Sequence, residues 1–241
     1  KWFGKAAEQG HDGAQYYLGR MHRDGTGLPK DDAEAVKWWR CAAEQDNESA
    51  QHDLAWCYDN GVGVAQNYSE ASKWYRLAAE QGLAASQANL GFCYAEGLGV
   101  EKDPAEAAKW YRLAAEQGDS NAQANLAVLY STGFGVPQDF EEAAKLNQLA
   151  AAQGSAKAQF ALGYMYDKGL GVDQSDEEAM KLYRLAAIAG HETAQYNIGM
   201  MYGMGTGVAQ SDVEAAKWFR LAAEQGLANA QYNLGVMYEN G

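Results

Sequence analysis

The sequence predicts an all-α protein, a solenoid of antiparallel helix pairs, and two observations lead to this fold class. The first is a strict period: two sets of helix-closing residues recur every 36 residues without an insertion. The second is an amphipathic spacing of apolar residues in two segments of each period. A fixed period of this length is typical of a solenoid, because one helical pair cannot bury its apolar face alone. We expect a single domain over residues 1–241, with between six and seven repeats.

Glycines occupy the two recurring positions. The set that closes the second helix of each repeat contains Gly10, Gly82, Gly118, Gly154, Gly190 and Gly226. The set that closes the first helix contains Gly25, Gly61, Gly97, Gly133, Gly169, Gly205 and Gly241. Glycine suits a helix end because it adopts the left-handed conformation without steric cost. Asp46 occupies the corresponding position after the one B helix that has no closing glycine. Aspartate tolerates positive φ better than most residues.

Residues 86–118 contain both helices predicted for one repeat. The first half predicts a helix over Ser86–Glu96, called the A helix, with Leu90 on its buried side. The second half predicts a B helix after Asp103, whose carboxylate can accept hydrogen bonds from the first turn. The apolar stripe of this B helix contains Ala107, Trp110, Tyr111, Ala114 and Ala115. We expect Trp110 to be largely buried.

All six complete B-helix starts carry a capping pair, in which Asp, Asn or Ser is followed three residues later by Glu. The pairs are Asp31 with Glu34, Asn67 with Glu70, Asp103 with Glu106, Asp139 with Glu142, Ser175 with Glu178 and Ser211 with Glu214. One repeat departs from the others: Asn147 occupies the stripe position of Tyr111. A buried amide without partners costs about 1–3 kcal/mol. We therefore expect this repeat to be weakly packed or open.

Composition limits the possible ligands. The net charge of −13 and pI near 4.7 argue against nucleic acid, whose binding requires clustered Lys and Arg. A protein or peptide partner is expected to be basic or neutral. No apolar run approaches the ~20 residues of a spanning helix, so no direct membrane insertion is expected. Residues 1–3 align with residues 37–39 inside a B helix, so we expect an array cut at both ends, whose open ends could self-associate.

No motif predicts catalysis, a metal or a cofactor. The G-x-G motif follows a helix, whereas nucleotide-binding loops follow a strand. His11 and His191 share one loop position in distant repeats, and His22 and His52 have no clear paired ligand, which argues against zinc. No Ser-x-x-Lys sequence occurs.

The cysteines are expected to be structural. Cys57 and Cys93 share one repeat position, which holds Met or Leu elsewhere, and Cys41 replaces a leucine. Neighbouring parallel helices lie ~8–10 Å apart, beyond the reach of a disulfide. Three free thiols are therefore predicted.

Three motifs together resemble the Sel-one-like repeats (SLR), a branch of the tetratricopeptide-type solenoids. They are L-G-x-x-Y in the A helix, G-x-G-V in the loop and E-A-x-K-W-Y-R-x-A-A-E-Q-G in the B helix. The resemblance covers the whole chain and implies a right-handed superhelix with the A helices on the concave side. It also implies adaptor or scaffold roles, often in bacterial envelopes and host contact, which favours a periplasmic, envelope or secreted location. The chain departs from the cysteine-rich subgroup, which has a disulfide in each unit.

The candidate site is the face of the A helices opposite Leu90. At about 100° per residue, the positions of Ala88, Asn89 and Phe92 lie there, and we call them the first, second and third face positions. The candidate residues are Tyr16, Tyr17, Arg20, His52, Asp53, Trp56, Asn89, Phe92, Asn125, Phe160, Tyr164, Tyr196, Asn197, Tyr232 and Asn233. Rings offer contact area and amides can pair with a peptide backbone. Alternatively, the rings only wedge neighbouring A helices together.

Ring exposure separates these two interpretations. If the face binds a ligand, the rings of Trp56, Phe92, Phe160 and Tyr164 are expected to be more exposed than those of Trp74, Trp110 and Trp218. The leading hypothesis is a non-enzymatic protein-interaction scaffold that binds a protein or extended peptide on this face. The alternatives are a cell-wall or β-lactam-directed enzyme, as suggested for some SLR relatives, and a spacer for domains outside this chain.

Overall fold

The computed structural model describes residues 2–240, except the side chain of Asn240, and every regular element in this part is an α-helix. The helices are α1 (Trp2–Glu8), α2 (Asp12–Asp24), α3 (Asp32–Ala43), α4 (Glu48–Asn60), α5 (Tyr68–Glu80), α6 (Ala84–Glu96), α7 (Pro104–Glu116), α8 (Ser120–Thr132), α9 (Phe140–Ala152), α10 (Ala156–Lys168), α11 (Asp176–Ile188), α12 (Glu192–Met204), α13 (Asp212–Glu224) and α14 (Ala228–Asn240). Even-numbered helices are A helices and odd-numbered helices are B helices. They form consecutive antiparallel pairs, so the predicted all-α class and repeat are confirmed.

Helix contacts divide the chain into two compact units, the first ending at Ala122 and the second starting at Gln123. Within each unit a helix packs against its successor in the chain, as α6 does against α7 and α10 against α11. Such sequential packing is what a repeat array requires. The single domain over residues 1–241 and the right-handed superhelix stay predictions.

The B helices start where the capping pairs predict. Asp103 Oδ1 accepts hydrogen bonds from the backbone N–H groups of Ala105 and Glu106, at 3.0 and 3.1 Å. Asp31, Asn67, Asp139, Ser175 and Ser211 make the corresponding contact to the glutamate three residues on. A capped first turn satisfies N–H groups that have no partner within the helix.

The A helices begin earlier than their apolar stripe indicates. α6 starts at Ala84 rather than at Ser86. The residue before five A helices is a cap whose side chain accepts a hydrogen bond from the N–H group three residues on; these caps are His11, Asn47, Asp119, Ser155 and His191. The loop histidines therefore have a structural role that their sequence position alone did not reveal.

Left-handed residues close the helices as predicted. The six described glycines that close A helices have φ between 65° and 77°. Asp46, at the end of the α3 repeat, has φ of 63° and is the one non-glycine residue with positive φ in the described chain. Gly241 lies outside the described residues.

The second glycine of the G-x-G loop permits a close approach between backbones. A Cβ atom at Gly99 would lie 2.0 Å from the carbonyl oxygen of Tyr68 at the start of α5. Gly171 approaches the Phe140 carbonyl oxygen in the same way, at 2.1 Å. The loop after each of these A helices therefore packs directly on the first turn of the preceding B helix. Only glycine fits at the point of contact, because any side chain would overlap the carbonyl group.

The innermost ring of the B-helix stripe is that of Tyr111. Tyr75, Tyr111 and Tyr183 are at most 2% exposed, whereas Trp110, which was expected to be largely buried, is partly buried and packs against the core of the first unit. Trp110 lies one residue, or about 100°, away from the innermost direction. The Tyr111 ring packs on Gly91, where an added Cβ atom would lie 2.7 Å from it.

Buried glutamines link successive repeats. Gln51 is fully buried; its Nε2 donates to Ala43 O at 3.1 Å, and its Oε1 accepts from Gln81 Nε2 at 2.8 Å. The same glutamine pair recurs as Gln15–Gln45, Gln87–Gln117, Gln123–Gln153 and Gln195–Gln225. These bonds satisfy polar groups that burial would otherwise penalise.

All three cysteines are free thiols. Cys57 and Cys93 are buried in the core, and burial raises the pKa of each to about 12, so both stay protonated. Cys41, which was also expected to be a structural thiol, is exposed. The leucine that it replaces occupies a surface position, since Leu113 at that position is 44% exposed.

Candidate functional site

The first face position packs between neighbouring repeats. The Phe160 ring stacks on His191 with centroids 4.3 Å apart and lies 5.8 Å from Tyr183. The Tyr196 ring lies 5.6 Å from Phe219. His52 Nδ1 is 2.8 Å from Ser86 Oγ. Tyr16 packs partly buried against the core, whereas Tyr232 is exposed. In most repeats, therefore, the side chain at the first face position packs between neighbouring helices, as the alternative interpretation predicts.

The third face position is the exposed one. Phe92 is 46% exposed and Tyr164 is 44% exposed, while Trp74 is 7% exposed, as expected for a ligand-binding face. Trp56 and Phe160 do not follow this contrast, because they are partly buried like Trp110 and Trp218. Arg20, at the same position in α2, is exposed.

The second face position consists mostly of amides that already have partners. Asn125 Oδ1 accepts from Lys157 Nζ at 2.9 Å, and Asn233 Nδ2 donates to Tyr196 Oη at 3.4 Å. Asn89 and Asn197 lie beside the hydroxyls of Tyr75 and Tyr183. Tyr17 instead stacks on Phe3, with centroids 5.3 Å apart. These amides hold neighbouring repeats together, so few of them are free to pair with a peptide backbone.

A charged cluster covers Trp56 in the first unit. The guanidinium of Arg23 lies 4.8 Å from the Trp56 ring centroid and 5.8 Å from that of Trp39. Burial raises the pKa of Asp53, while the charges of Arg23 and Arg20 oppose that rise. Arginine stacks readily on aromatic faces, so Trp56 is covered by a side chain of its own unit.

The second unit contains a cavity of about 290 Å³ on the candidate face. Its walls come from α8, α9 and α10 and the loops beside them. The lining residues are Val128, Ser131, Phe140, Asn147, Phe160, Ala161, Tyr164, Met165 and Leu170. The candidate residues Phe160 and Tyr164 therefore meet here at one concave site.

Two substitutions within the repeat coincide with this cavity. Asn147 stands where the next repeat has Tyr183, and Ala161 stands where it has Asn197. In that next repeat the Tyr183 ring is fully buried and its hydroxyl lies against Asn197 and, at 3.4 Å, against Asp167. The irregular repeat thus lacks both the ring and its amide partner. A cavity of about 310 Å³ with corresponding lining residues also lies at Phe219, where the ring is present, so the cavity at Asn147 does not follow from the missing ring alone.

The polar group in the cavity wall is deeply buried. Asn147 is 4% exposed, and its Nδ2 donates to Met165 Sδ at 3.6 Å. A thioether sulfur is a weak acceptor, so this bond satisfies the amide poorly. The wall therefore combines apolar surface with one amide that has unused hydrogen-bonding capacity.

Across residues 2–240, no group of three or more His, Cys, Asp or Glu side chains is arranged to hold a metal ion. None of the described helices combines the length and apolarity needed to cross a bilayer.

The family model of the Sel1 repeat matches residues 1–11, 13–47, 48–83, 84–119, 120–155, 156–191, 193–227 and 228–241. The chain belongs to the Sel1 repeat family. The resemblance seen in the three motifs is therefore confirmed. No curated protein matches the sequence.

Solved structures show the same Sel1 repeat fold. A protective antigen present in uropathogenic Escherichia coli strains, displaying an SLR fold, matches 100% of this chain at 38% identity with a TM-score of 0.92. The chain spans 51% of that antigen. A Sel1 repeat protein from Oxalobacter formigenes matches 89% of the chain and 86% of its own length, at 34% identity and a TM-score of 0.79. An immunity protein from Pseudomonas aeruginosa shares the fold, over 85% of the chain and 80% of its own, at 21% identity and a TM-score of 0.51.

Proposed function

We propose that this Sel1 repeat protein is a non-catalytic interaction module that binds a protein or extended peptide at the third face position of its A helices. The observation that carries the proposal is the exposure of large apolar side chains at one repeat position: Phe92 in the first unit, and Val128 and Tyr164 in the second. In the second unit, Val128 and Tyr164 line one cavity, and clustered exposed apolar side chains mark interaction surfaces more often than isolated ones do.

Charge and relatives support the same function. The net charge of −13 favours a basic or neutral ligand. Two solved relatives are named for roles other than catalysis, one as a protective antigen and one as an immunity protein. In the first unit, Arg20 and Arg23 lie beside Asp53, so an acidic group of the ligand can also be accommodated there.

A capture experiment with matched variants tests the proposal. The full chain, immobilised, is used to capture proteins from a lysate of its source cells. Phe92→Ala combined with Tyr164→Ala is expected to lose proteins that the wild type retains. Leu113→Ala combined with Leu149→Ala is the control, because these leucines are similarly exposed but lie on B helices. Specific capture should weaken as ionic strength rises above ~0.15 M, where the screening length is about 8 Å.

The result that contradicts the proposal is an identical set of captured proteins for both double variants. The enzymatic alternative has its own test, incubation with a labelled β-lactam. We expect no stoichiometric covalent label on the chain, and a label would support a β-lactam-directed enzyme instead.

A further inference from the structure

The second unit carries two cavities with corresponding linings. The first pocket, of about 290 Å³, lies between α8 and α10, and the second pocket, of about 310 Å³, lies between α12 and α14. Each is bordered by two side chains of the third face position: Val128 and Tyr164 at the first pocket, Met200 and Val236 at the second. The exposed face of this unit therefore has an apolar pocket on either side of the junction between α10 and α12.

That middle junction carries carboxylates. Asp167 lies 36 residues from both Ser131 and Gly203, so it occupies the repeat position that lines the first and second pockets. Its Oδ2 accepts from the hydroxyl of Tyr183 at 3.4 Å. The Oδ1 atom of Asp176, the first residue of α11, is buried and has no hydrogen-bond partner among the described residues. We call Asp167 and Asp176 the acidic junction.

The two carboxylates belong to the same end of the α10–α11 pair. The backbone N–H of Ser175 donates to the carbonyl oxygen of Tyr166 at 3.0 Å, and the two aspartates are the residues that follow these two in the chain. A single ammonium faces them: Lys168 Nζ lies 3.2 Å from Asp167 Oδ2, and the Lys168 side chain is 52% exposed. Exposed ion pairs are weak, so an incoming cation can replace this contact.

We infer that the second unit binds an extended segment of its partner in which a lysine or arginine is flanked, three residues away on each side, by a large apolar side chain. The apolar side chains enter the two pockets and the cation faces the acidic junction. The inference rests on the proposed function, since it specifies which segment the interaction face holds.

The spacing follows from the geometry of helices and extended chains. Neighbouring A helices of this unit are in contact: Asn125 Oδ1 accepts from Lys157 Nζ between α8 and α10, and Phe160 stacks on His191 at the start of α12. Packed helices lie ~8–10 Å apart. A chain in the polyproline II conformation advances about 3.1 Å per residue with three residues per turn, so every third side chain points the same way at intervals of about 9 Å. One side chain in three therefore matches one repeat.

Size and charge fit the same segment. An apolar cavity of roughly 150 Å³ admits benzene, so cavities of about 290 and 310 Å³ each hold a leucine or phenylalanine side chain. The chain has a net charge of −13, which favours a cation at the acidic junction over an anion. Apolar anchors set in pockets are the usual source of binding energy in protein interfaces, and a charge between them adds specificity.

The test uses short peptides of defined sequence, titrated calorimetrically into the full chain. The probe is L-P-P-K-P-P-L, in which the prolines favour polyproline II. We expect saturable binding of the probe. Binding of L-P-P-E-P-P-L, which reverses the central charge, and of A-P-P-K-P-P-A, which lacks the anchors, should each be at least tenfold weaker. A peptide with one further proline on each side of the lysine should also bind more weakly, because its anchors no longer match the pockets.

Variants of the protein locate the binding. Asp167→Asn removes the charge but keeps an acceptor for the Tyr183 hydroxyl, and it should lower the preference for the lysine peptide over the glutamate peptide at least threefold. Asp59→Asn is the matched control, because Asp59 occupies the same repeat position in the first unit, and it should leave that preference unchanged. Ser131→Leu combined with Gly203→Leu narrows both pockets and should weaken probe binding at least tenfold. Circular dichroism checks that each variant stays folded.

Several outcomes contradict the inference. Equal affinity of the wild type for the lysine and glutamate peptides, or equal effects of Asp167→Asn and Asp59→Asn, overturns the cation at the acidic junction. Undiminished probe binding by the folded Ser131 and Gly203 variant overturns the two pockets. Absence of probe binding to the wild type overturns the whole inference, whereas loss of captured proteins by the Phe92 and Tyr164 variant would still support the interaction face.

Discussion

Two junctions in the second unit, 36 residues apart, are built on the same plan and packed differently. At the junction of α11 and α12, the Tyr183 ring is fully buried and Arg184 Nη2 donates to Tyr202 Oη at 2.6 Å. At the junction of α9 and α10, Asn147 and Gln148 replace that tyrosine and arginine, and a cavity of about 290 Å³ is present.

The backbone contacts of the two junctions are nevertheless alike. Asp139 caps α9 as Ser175 caps α11. Gln159 Nε2 donates to Ala151 O and Gln195 Nε2 to Ala187 O, both at 3.3 Å. The comparison teaches that the caps and the buried glutamine bonds are the same at both junctions, whether or not a ring occupies the B-helix position. Local departures from a repeat consensus are expected where function requires them.

The largest expected effect comes from breaking the regular junction. Tyr183→Ala should lower the free energy of unfolding by about 3–5 kcal/mol, because it removes a fully buried aromatic side chain and leaves a cavity. Leu185→Ala, on the same helix but 51% exposed, is the control and should stay within about 0.5 kcal/mol of wild type. Chemical denaturation measures both. Equal effects of the two substitutions would show that the ring position is not the core of the junction.

Repairing the irregular junction should have a smaller effect of opposite sign. Asn147→Tyr with Ala161→Asn should raise the free energy of unfolding by about 0.5–2 kcal/mol, as cavity-filling substitutions commonly do. The gain follows from burying a ring in existing space and removing a poorly paired amide. Ala161→Asn alone serves as the control and should give no such gain. A lower melting temperature for the double variant would mean that the surrounding helices cannot accept the ring.

The smallest expected effect is the pH dependence of stability caused by His191, which stacks on Phe160. His191 stacks on Phe160 and its Nδ1 accepts from Ala194 N–H at 3.3 Å, a bond that requires neutral Nδ1. Burial lowers the pKa of His191 below its usual 6.5, so the folded state favours the neutral ring. The free energy of unfolding is therefore unaffected well above pH 6.5, falls as the pH drops below 6.5, and levels off below the folded-state pKa.

His191→Asn is the matched variant for this pH effect. Asparagine keeps the cap, as Asn47 does at the same position of α4, but does not titrate. The decline between neutral and acidic pH should be smaller in this variant than in the wild type. A residual decline is expected from His52, whose pKa burial also lowers. Identical pH profiles would show that His191 does not couple to folding.

Features that depend on one short stretch of chain could be predicted from the sequence. The B-helix caps are an example, because a side chain such as Asp103 bonds to N–H groups two and three residues away. The closing residues are another, including Asp46 with its φ of 63°, because positive φ is a property of one residue's own sterics. The 36-residue repeat follows in the same way, since identical local signals recur at that spacing.

Features that depend on a neighbouring helix were decided by the tertiary structure. The three face positions look equivalent on an isolated A helix, but the adjacent repeat covers Phe160 and leaves Tyr164 exposed. The cap at His191 and the bond of Gln51 to Gln81, across 30 residues, have no signature in hydrophobic periodicity. The exposure of Cys41 was likewise not predicted, because the sequence does not show which edge of a helix a neighbouring helix covers. The sequence by itself determined where the B helices begin and where both kinds of helix end. Burial, and with it the cavity at Asn147, arises only when side chains of different helices meet.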